Sequence, residues 1–290
     1  MPELPDLEIY VEALAARIGG QVLRKASVRN PFVLRSVDPP LAAIEGRMVV
    51  GVRRQAKRIA IDFPDSLHLV THLMIAGRLR WLEHGRAPPA RITLATFAFD
   101  NGTLAMTEAG TRRRASLHVV RGDDALAALG AGGIEVDELD AQSFAARLRA
   151  ENHTLKRALT DPRILSGIGN AYSDEILHRA KLSPLAQTAK LDDATLARLY
   201  AATRDVLREW TERLRAQTGD RFPEKVTAFR PEMAVHGRFR EACPICGTPV
   251  QRIVYAENEC NYCPRSQTNG VVLADRALSR ILHKTFPREI

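Results

Sequence analysis

The chain opens Met1-Pro2-Glu3-Leu4-Pro5-Asp6-Leu7-Glu8. Proline is small enough for the initiator methionine to be removed, which would leave a secondary amine at the new terminus. An α-amino group has a pKa of roughly 8, so a useful share is unprotonated and nucleophilic near neutral pH. Attack of a secondary amine on a sugar aldehyde carbon gives an iminium. That ion is always cationic and acts as an electron sink, which is covalent catalysis by an amine. Glu3 lies one peptide away, close enough to move protons for the same reaction. Taken alone, the pair also fits a chance sequence at a frayed end.

A second group of reactive residues lies near the other end. Cys243, Cys246, Cys260 and Cys263 fall within 21 residues, spaced C-x2-C, thirteen residues, C-x2-C. That spacing predicts a closed tetrahedral site, one structural Zn2+ held by four thiolates. Two disulfides are the alternative, which a cytosolic setting disfavours. No cysteine remains elsewhere, so other thiol chemistry is excluded. A third group is Ser166-Gly167-Ile168-Gly169-Asn170-Ala171-Tyr172. Glycines let the backbone approach a ligand, Asn170 can cap a helix, and free N–H groups at a helix start bind phosphate. Lys156 supplies a cation just upstream. An ordinary packed corner between two helices is the competing reading.

The elements that must position these residues follow from periodicity. Residues 7–18 read as a helix capped by Asp6, with Leu7, Val11, Leu14 and Ile18 on one face and Gly19-Gly20 at its end. From 21 to 120 the period becomes two, with strands around 59–63, 67–73 and 91–99, and a hairpin turn at Asp100-Asn101-Gly102. Several short strands of this kind predict a β-sandwich or barrel. Glycines at 130, 132 and 133 mark a boundary. Beyond it, helices are predicted at about 141–150, 153–160, 171–180 and 191–217, and a short amphipathic helix at 273–285.

The chain has 290 residues, 45% of them hydrophobic, enough for two domains with real cores. No apolar run is long enough for a membrane span, and no secretory pattern opens the chain, so a cytoplasmic, nucleoid-associated monomer is expected. The net charge of +8, carried mostly by arginine, suits a polyanionic partner.

Pro2-Glu3, Gly167-Ile168-Gly169-Asn170 and the cysteine cluster, in that order, resemble the formamidopyrimidine-DNA glycosylase / endonuclease VIII family. Further residues are similar to the family's: Arg53-Arg54-Gln55-Ala56-Lys57-Arg58, Thr71-His72-Leu73, Gly169-Asn170-Ala171-Tyr172-Ser173-Asp174-Glu175, and Val235-His236-Gly237-Arg238 before Cys243-Pro244-Ile245-Cys246. The match covers residues 2 to 267. It implies an α+β, two-domain clamp: an N-terminal helix plus β-sandwich (1–130), a helical helix–two-turn–helix domain (131–235), a zinc β-hairpin finger (236–268) and a C-terminal extension (269–290). It also implies damaged double-stranded DNA in the cleft, removal of a damaged base, and cleavage of the abasic strand. On this resemblance Pro2 attacks the sugar C1′, Glu3 protonates the ring oxygen, and Lys57, His72, Lys156 and Asn170 hold phosphates around a base swung out of the stack.

The departures from the family pattern concern the finger and the groups that hold flipped DNA. Asn258 stands where the family has a finger arginine. The second cysteine pair is displaced, so that Ser266 occupies the usual last-ligand position, which implies a shorter finger with a different tip. In the loop Gly110-Thr111-Arg112-Arg113-Arg114-Ala115, Arg114 replaces an aromatic wedge, while Arg112 is placed to read the opposite base. In His72-Leu73-Met74-Ile75, Ile75 takes the intercalating position unless Met74 reaches in instead. These losses leave a second reading open, a non-catalytic or lyase-only binder of abasic or nicked DNA.

Overall fold

The computed structural model describes residues 1–110, 112–224, 226–255 and 258–273. The segment 274–285, read above as most of an amphipathic helix, lies outside them. The chain forms two compact units. One comprises Met1–Gly132 and Trp210–Thr227; the other comprises Gly133–Glu209 and the chain from Ala228 onward.

The first unit begins with helix α1, Leu4–Ile18. It starts three residues before the periodicity suggested. Pro5 is tolerated in a first turn, where its missing N–H has no intrahelical partner to lose. Glu3 is the N-cap and Asp6 the third helical residue, and the two form a reciprocal capping box. Leu7, Leu14 and Ile18 are wholly buried, and each such side chain contributes roughly 1.5–3 kcal/mol relative to exposure.

Two antiparallel four-stranded sheets follow. One is ordered β1 (Lys25–Val28), β6 (Thr93–Phe99), β7 (Gly102–Glu108), β5 (Gly77–Leu82). The other is β2 (Gly51–Gln55), β3 (Arg58–Phe63), β4 (Leu67–His72), β8 (Ser116–Arg121). Alternation sorts their faces. Ile59, Ile61, Phe63, Leu69, Leu117 and Val119 join Phe97, Leu104 and Met106 in one core with α1. On the opposite face of the second sheet, Ala60 and Val70 are covered by Leu126 of α2 (Asp123–Ala128).

Residues 210–227 return to this unit, which periodicity did not foretell. The Phe222 ring packs 5.8 Å from that of Tyr10, tilted by 50°, Arg215 donates to Glu12 at 2.6 Å, and Arg17 donates to the Asp220 carbonyl at 2.7 Å.

The second unit carries α3 (Ala141–Arg149), α4 (Leu155–Thr160), α5 (Asn170–Ala180) and most of α6 (Asp193–Thr218). Asp140 and Thr154 cap α3 and α4 through their side chains. A hairpin of β9 (Gln251–Tyr255) and β10 (Asn258–Tyr262) leads into the short helix α7 (Pro264–Thr268). Among the described residues, no helix is long and apolar enough to cross a membrane.

Candidate active site and metal centre

Pro2 is buried and Glu3 is 3% exposed, so the start of α1 is a packed terminus. The Glu3 N–H donates to Asp6 Oδ2 at 3.0 Å, fixing the backbone beside residue 2. Burial lowers the pKa of the Met1 amine below its ordinary value; the Arg78 and Lys57 cations lower it further, against Glu3 and Asp6. A cationic amine is therefore disfavoured at this end, which is what a nucleophile needs.

Arg78 was not singled out by sequence, because nothing in its spacing marks it. Strand β5 brings it to the terminus, and its guanidinium donates to the Ile75 and Gly77 carbonyls at 3.0 and 2.6 Å. It thereby ties down the β4–β5 turn. Met74 in that turn has a left-handed φ of 52°, and Ile75 is 56% exposed. Gly77 is required for the turn to close, since a Cβ there would lie 2.2 Å from the Leu73 carbonyl oxygen.

His72 ends β4, and register places its neighbours. Ala60 pairs with Val70, and Val70 with His118. Alternation then puts Arg58, His72 and His118 on one face of the sheet. Arg58 Nε, His72 Nε2 and His118 Nδ1 are all buried without a hydrogen-bond partner. Burial, with Arg58, Lys57 and His118 nearby, pushes His72 down to about 4, and burial with Arg58 and Arg35 lowers His118. Three unsatisfied nitrogens on one basic face form a place for an anion. Arg58 and His118 are additions that only the strand register reveals.

Arg112 and Arg114 lie exposed in the β7–β8 loop; Thr111 is outside the described residues. The buried Glu108 carboxylate shapes this loop, accepting the N–H groups of Arg114 and Ala115 at 3.1 and 3.2 Å.

In the second unit Gly169, not Asn170, is the N-cap of α5. Asn170 is the first helical residue, and its side-chain amide donates to the Glu259 carbonyl at 2.7 Å, tying the helix start to β10. Lys156 differs from the phosphate-facing cation that sequence suggested. It is 7% exposed, and its ammonium donates to the Asn170 carbonyl at 2.7 Å, Ser173 Oγ at 2.8 Å and Asp174 Oδ1 at 2.5 Å. Those three bonds use all its protons. Asp174, wholly buried, also receives His236 Nδ1 at 2.8 Å and the Asn261 N–H at 3.1 Å. Burial pushes the Asp174 carboxyl up, but Lys156 and His236 outweigh it and the net shift is downward. Next to it, Glu175 accepts the N–H groups of Ala234, Val235 and His236 at 2.8, 2.9 and 3.0 Å.

The cysteines gather as three. The sulfurs of Cys243, Cys246 and Cys263 lie within 4.8 Å of one another, with Cys246 and Cys263 3.4 Å apart. This corrects the expected four-thiolate set, because Cys260 does not join them. Cys260 sits mid-strand in β10, wholly buried, and interacts with the Asp174 carboxylate. Burial and that carboxylate raise its thiol well above the usual value. Cys263 instead caps α7, one residue past the strand. Burial pushes Cys243 up to about 11; Cys246, though burial raises it too, is held down to about 7 by bonds to Thr248 and the other two cysteines. Four free cysteines, three of them clustered and one poised to ionise, fit a metal ion. Asn258 opens β10 opposite Tyr255, and its side chain lies outside what is described.

The sequence profile of the formamidopyrimidine-DNA glycosylase N-terminal domain matches residues 1–117, and that of the formamidopyrimidine-DNA glycosylase H2TH domain matches residues 131–220. The chain belongs to the formamidopyrimidine-DNA glycosylase family. It is 33% identical over 279 residues to the formamidopyrimidine-DNA glycosylase of Thermus thermophilus, covering 93% of this chain and 100% of the relative. A Solibacter usitatus member is 30% identical over 271 residues, covering 92% and 99%. The fold is shared with a MutM in complex with DNA containing carbocyclic 8-oxo-G (TM-score 0.81, 24% identity, 92% of this chain and 100% of that one). It is also shared with the Lactococcus lactis Fpg bound to abasic-site DNA (TM-score 0.80, 24% identity, 92% and 99%). Helices α3, α4 and α5, and the second unit from Gly133 to Glu209, fall within the matched H2TH domain.

Proposed function

We propose that this base-excision DNA glycosylase and abasic-site lyase performs both reactions through the Pro2 nitrogen once Met1 is removed. The observation that carries this is the packed, cation-flanked start of α1, with Glu3 locked beside residue 2. Pro2 attacks C1′ of the damaged nucleotide, the bond to the base breaks, and the proton shed by the amine neutralises the departing base. Glu3 delivers a proton to the ring oxygen, which opens the sugar and leaves an iminium. The iminium acidifies the neighbouring carbon, and elimination of the 3′ phosphate cuts the strand.

Lys57, His72, Arg58 and His118 hold phosphates beside the lesion, the last three offering nitrogens that have no partner in the protein. Ile75 enters the base stack, and Arg112 and Arg114 meet the opposite strand. Lys156 does not itself touch phosphate; it orders the start of α5, whose first N–H groups and Asn170 do. The three-thiol cluster holds Zn2+, which closes the base of the β9–β10 hairpin. The basic charge keeps the protein with nucleoid DNA.

Borohydride reduction in the presence of abasic duplex tests the reading. The processed protein forms a covalent adduct at Pro2, and Pro2→Gly binds the duplex while base release slows strongly. Tight binding with no adduct from protein shown by mass to lack Met1 would establish a non-catalytic binder instead.

A further inference from the structure

Only three cysteines reach the metal centre, and a tetrahedral ion needs a fourth donor. We propose that the Ser266 hydroxyl supplies it, giving a Cys3Ser zinc site rather than a four-thiolate one. The proposal rests on the zinc reading above and refines it.

Three observations converge. First, Cys263 is the N-cap of α7 and Ser266 is the third residue of that helix. Residues at these two positions face each other, which is why reciprocal capping pairs form between them. The Cys263 sulfur is 3.4 Å from Cys246, so Ser266 lies on the helical turn that opens at a cluster cysteine. Second, Ser266 Oγ is buried and has no hydrogen-bond partner. A buried hydroxyl without a partner is costly and calls for an explanation. The rest of this turn is satisfied: Gln267 Oε1 accepts the Cys263 N–H at 2.8 Å, and Thr268 Oγ1 donates to the Pro264 carbonyl at 2.9 Å. A metal ion would give the stray oxygen its partner. Third, the rival donors are committed elsewhere. Cys260 is engaged with Asp174. His178 Nε2 lies 3.3 Å from Cys243 Sγ, but it is not among the donor atoms that lie within 4.8 Å of one another. It is an outer hydrogen-bond partner of one thiolate, a common arrangement around zinc.

A hydroxyl is a weaker donor to zinc than a thiolate, and a neutral one leaves the centre one unit less negative. The site should hold its metal less tightly than a four-thiolate finger and release it faster.

Cobalt(II) replaces zinc and reports its ligands by colour, since thiolate-to-metal charge transfer grows with the number of sulfurs. The whole protein is purified with zinc, its metal counted, and the metal exchanged for Co2+. The expected result is one metal per chain and tetrahedral bands. Ser266→Cys then raises the charge-transfer intensity by about one third and slows release to a chelator by about tenfold or more. Cys260→Ala and His178→Gln leave the bands in place, and Ser266→Ala speeds release. Loss of about a quarter of the intensity in Cys260→Ala would overturn the proposal in favour of four thiolates. A ligand-field shift in His178→Gln would overturn it in favour of imidazole. A Ser266→Cys spectrum equal to the parent's would exclude residue 266 altogether. Failure of the parent to bind any metal would sink the zinc reading first, and this one with it.

Discussion

Removing the Lys156 ammonium should damage the fold far more than a surface phosphate contact could. Lys156→Met keeps the length of the side chain but deletes its charge. Asp174, 0% exposed, would keep His236, Asn261 and the Cys260 thiol as partners but no cation except a protonated His236. Breaking a buried pair from one side typically costs about 3–5 kcal/mol, because the remaining charge is stranded away from water. For a chain of this size each kcal/mol shifts Tm by roughly 2–4 °C, so the fall should be on the order of 6–20 °C. Circular dichroism melts of the parent, Lys156→Met, Asp174→Asn and the double variant measure it. The double variant should recover most of the loss, since it removes both charges and leaves none stranded. DNA affinity at a temperature where every variant is folded should retain the parent's salt dependence. The reasoning fails if Lys156→Met melts with the parent but shows a shallower salt slope, as a solvent-facing phosphate contact would.

Ile75→Ala should leave stability within about 0.5 kcal/mol of the parent, because the side chain is 56% exposed, while weakening binding to abasic duplex in a gel-shift titration. Gly77→Ala should do the reverse, unfolding the β4–β5 turn and lowering Tm, because its Cβ meets the Leu73 carbonyl at 2.2 Å. His72 titrates near 4 in the folded protein and near its ordinary value when unfolded, so the unfolded chain takes up the proton first. Its contribution to stability is complete above about pH 6.5 and is lost as pH falls toward 4, by up to roughly 3 kcal/mol. Urea midpoints across that range should show the decline in the parent and a flatter curve in His72→Gln.

Much of the architecture was legible because strands and helices carry different periods. The hairpin at 100–102 and the helices of the second unit lie within a few residues of their expected limits. What the pattern missed has physical causes. The start of α1 was placed late because Asp6 reads as an N-cap, whereas Glu3 is the cap and Asp6 the third helical residue of a reciprocal capping box. The return of 210–227 is a long-range packing event, decided by Phe222 meeting Tyr10, and periodicity is blind to it. Spacing alone gathers four cysteines, but where β10 ends decides which of them turn together. Lys156 looked like a phosphate ligand because sequence shows charge and not burial. Arg58 and His118 became visible only when strand register put them beside His72.

Pro2, the nucleophile proposed above, precedes the N-cap at the positive pole of a fifteen-residue helix. Aligned peptide dipoles place about half an elementary charge at such an end. On the proposed mechanism that field would repel a proton from the proline amine and draw in the anionic backbone of a nucleic acid, so one arrangement would both free the attacking group and recruit its target. Helix α1 would then be an electrostatic component of the proposed reaction as well as a support for the sheets. Substitutions two or three turns away that fray it should dull the chemistry without touching a single contact to DNA.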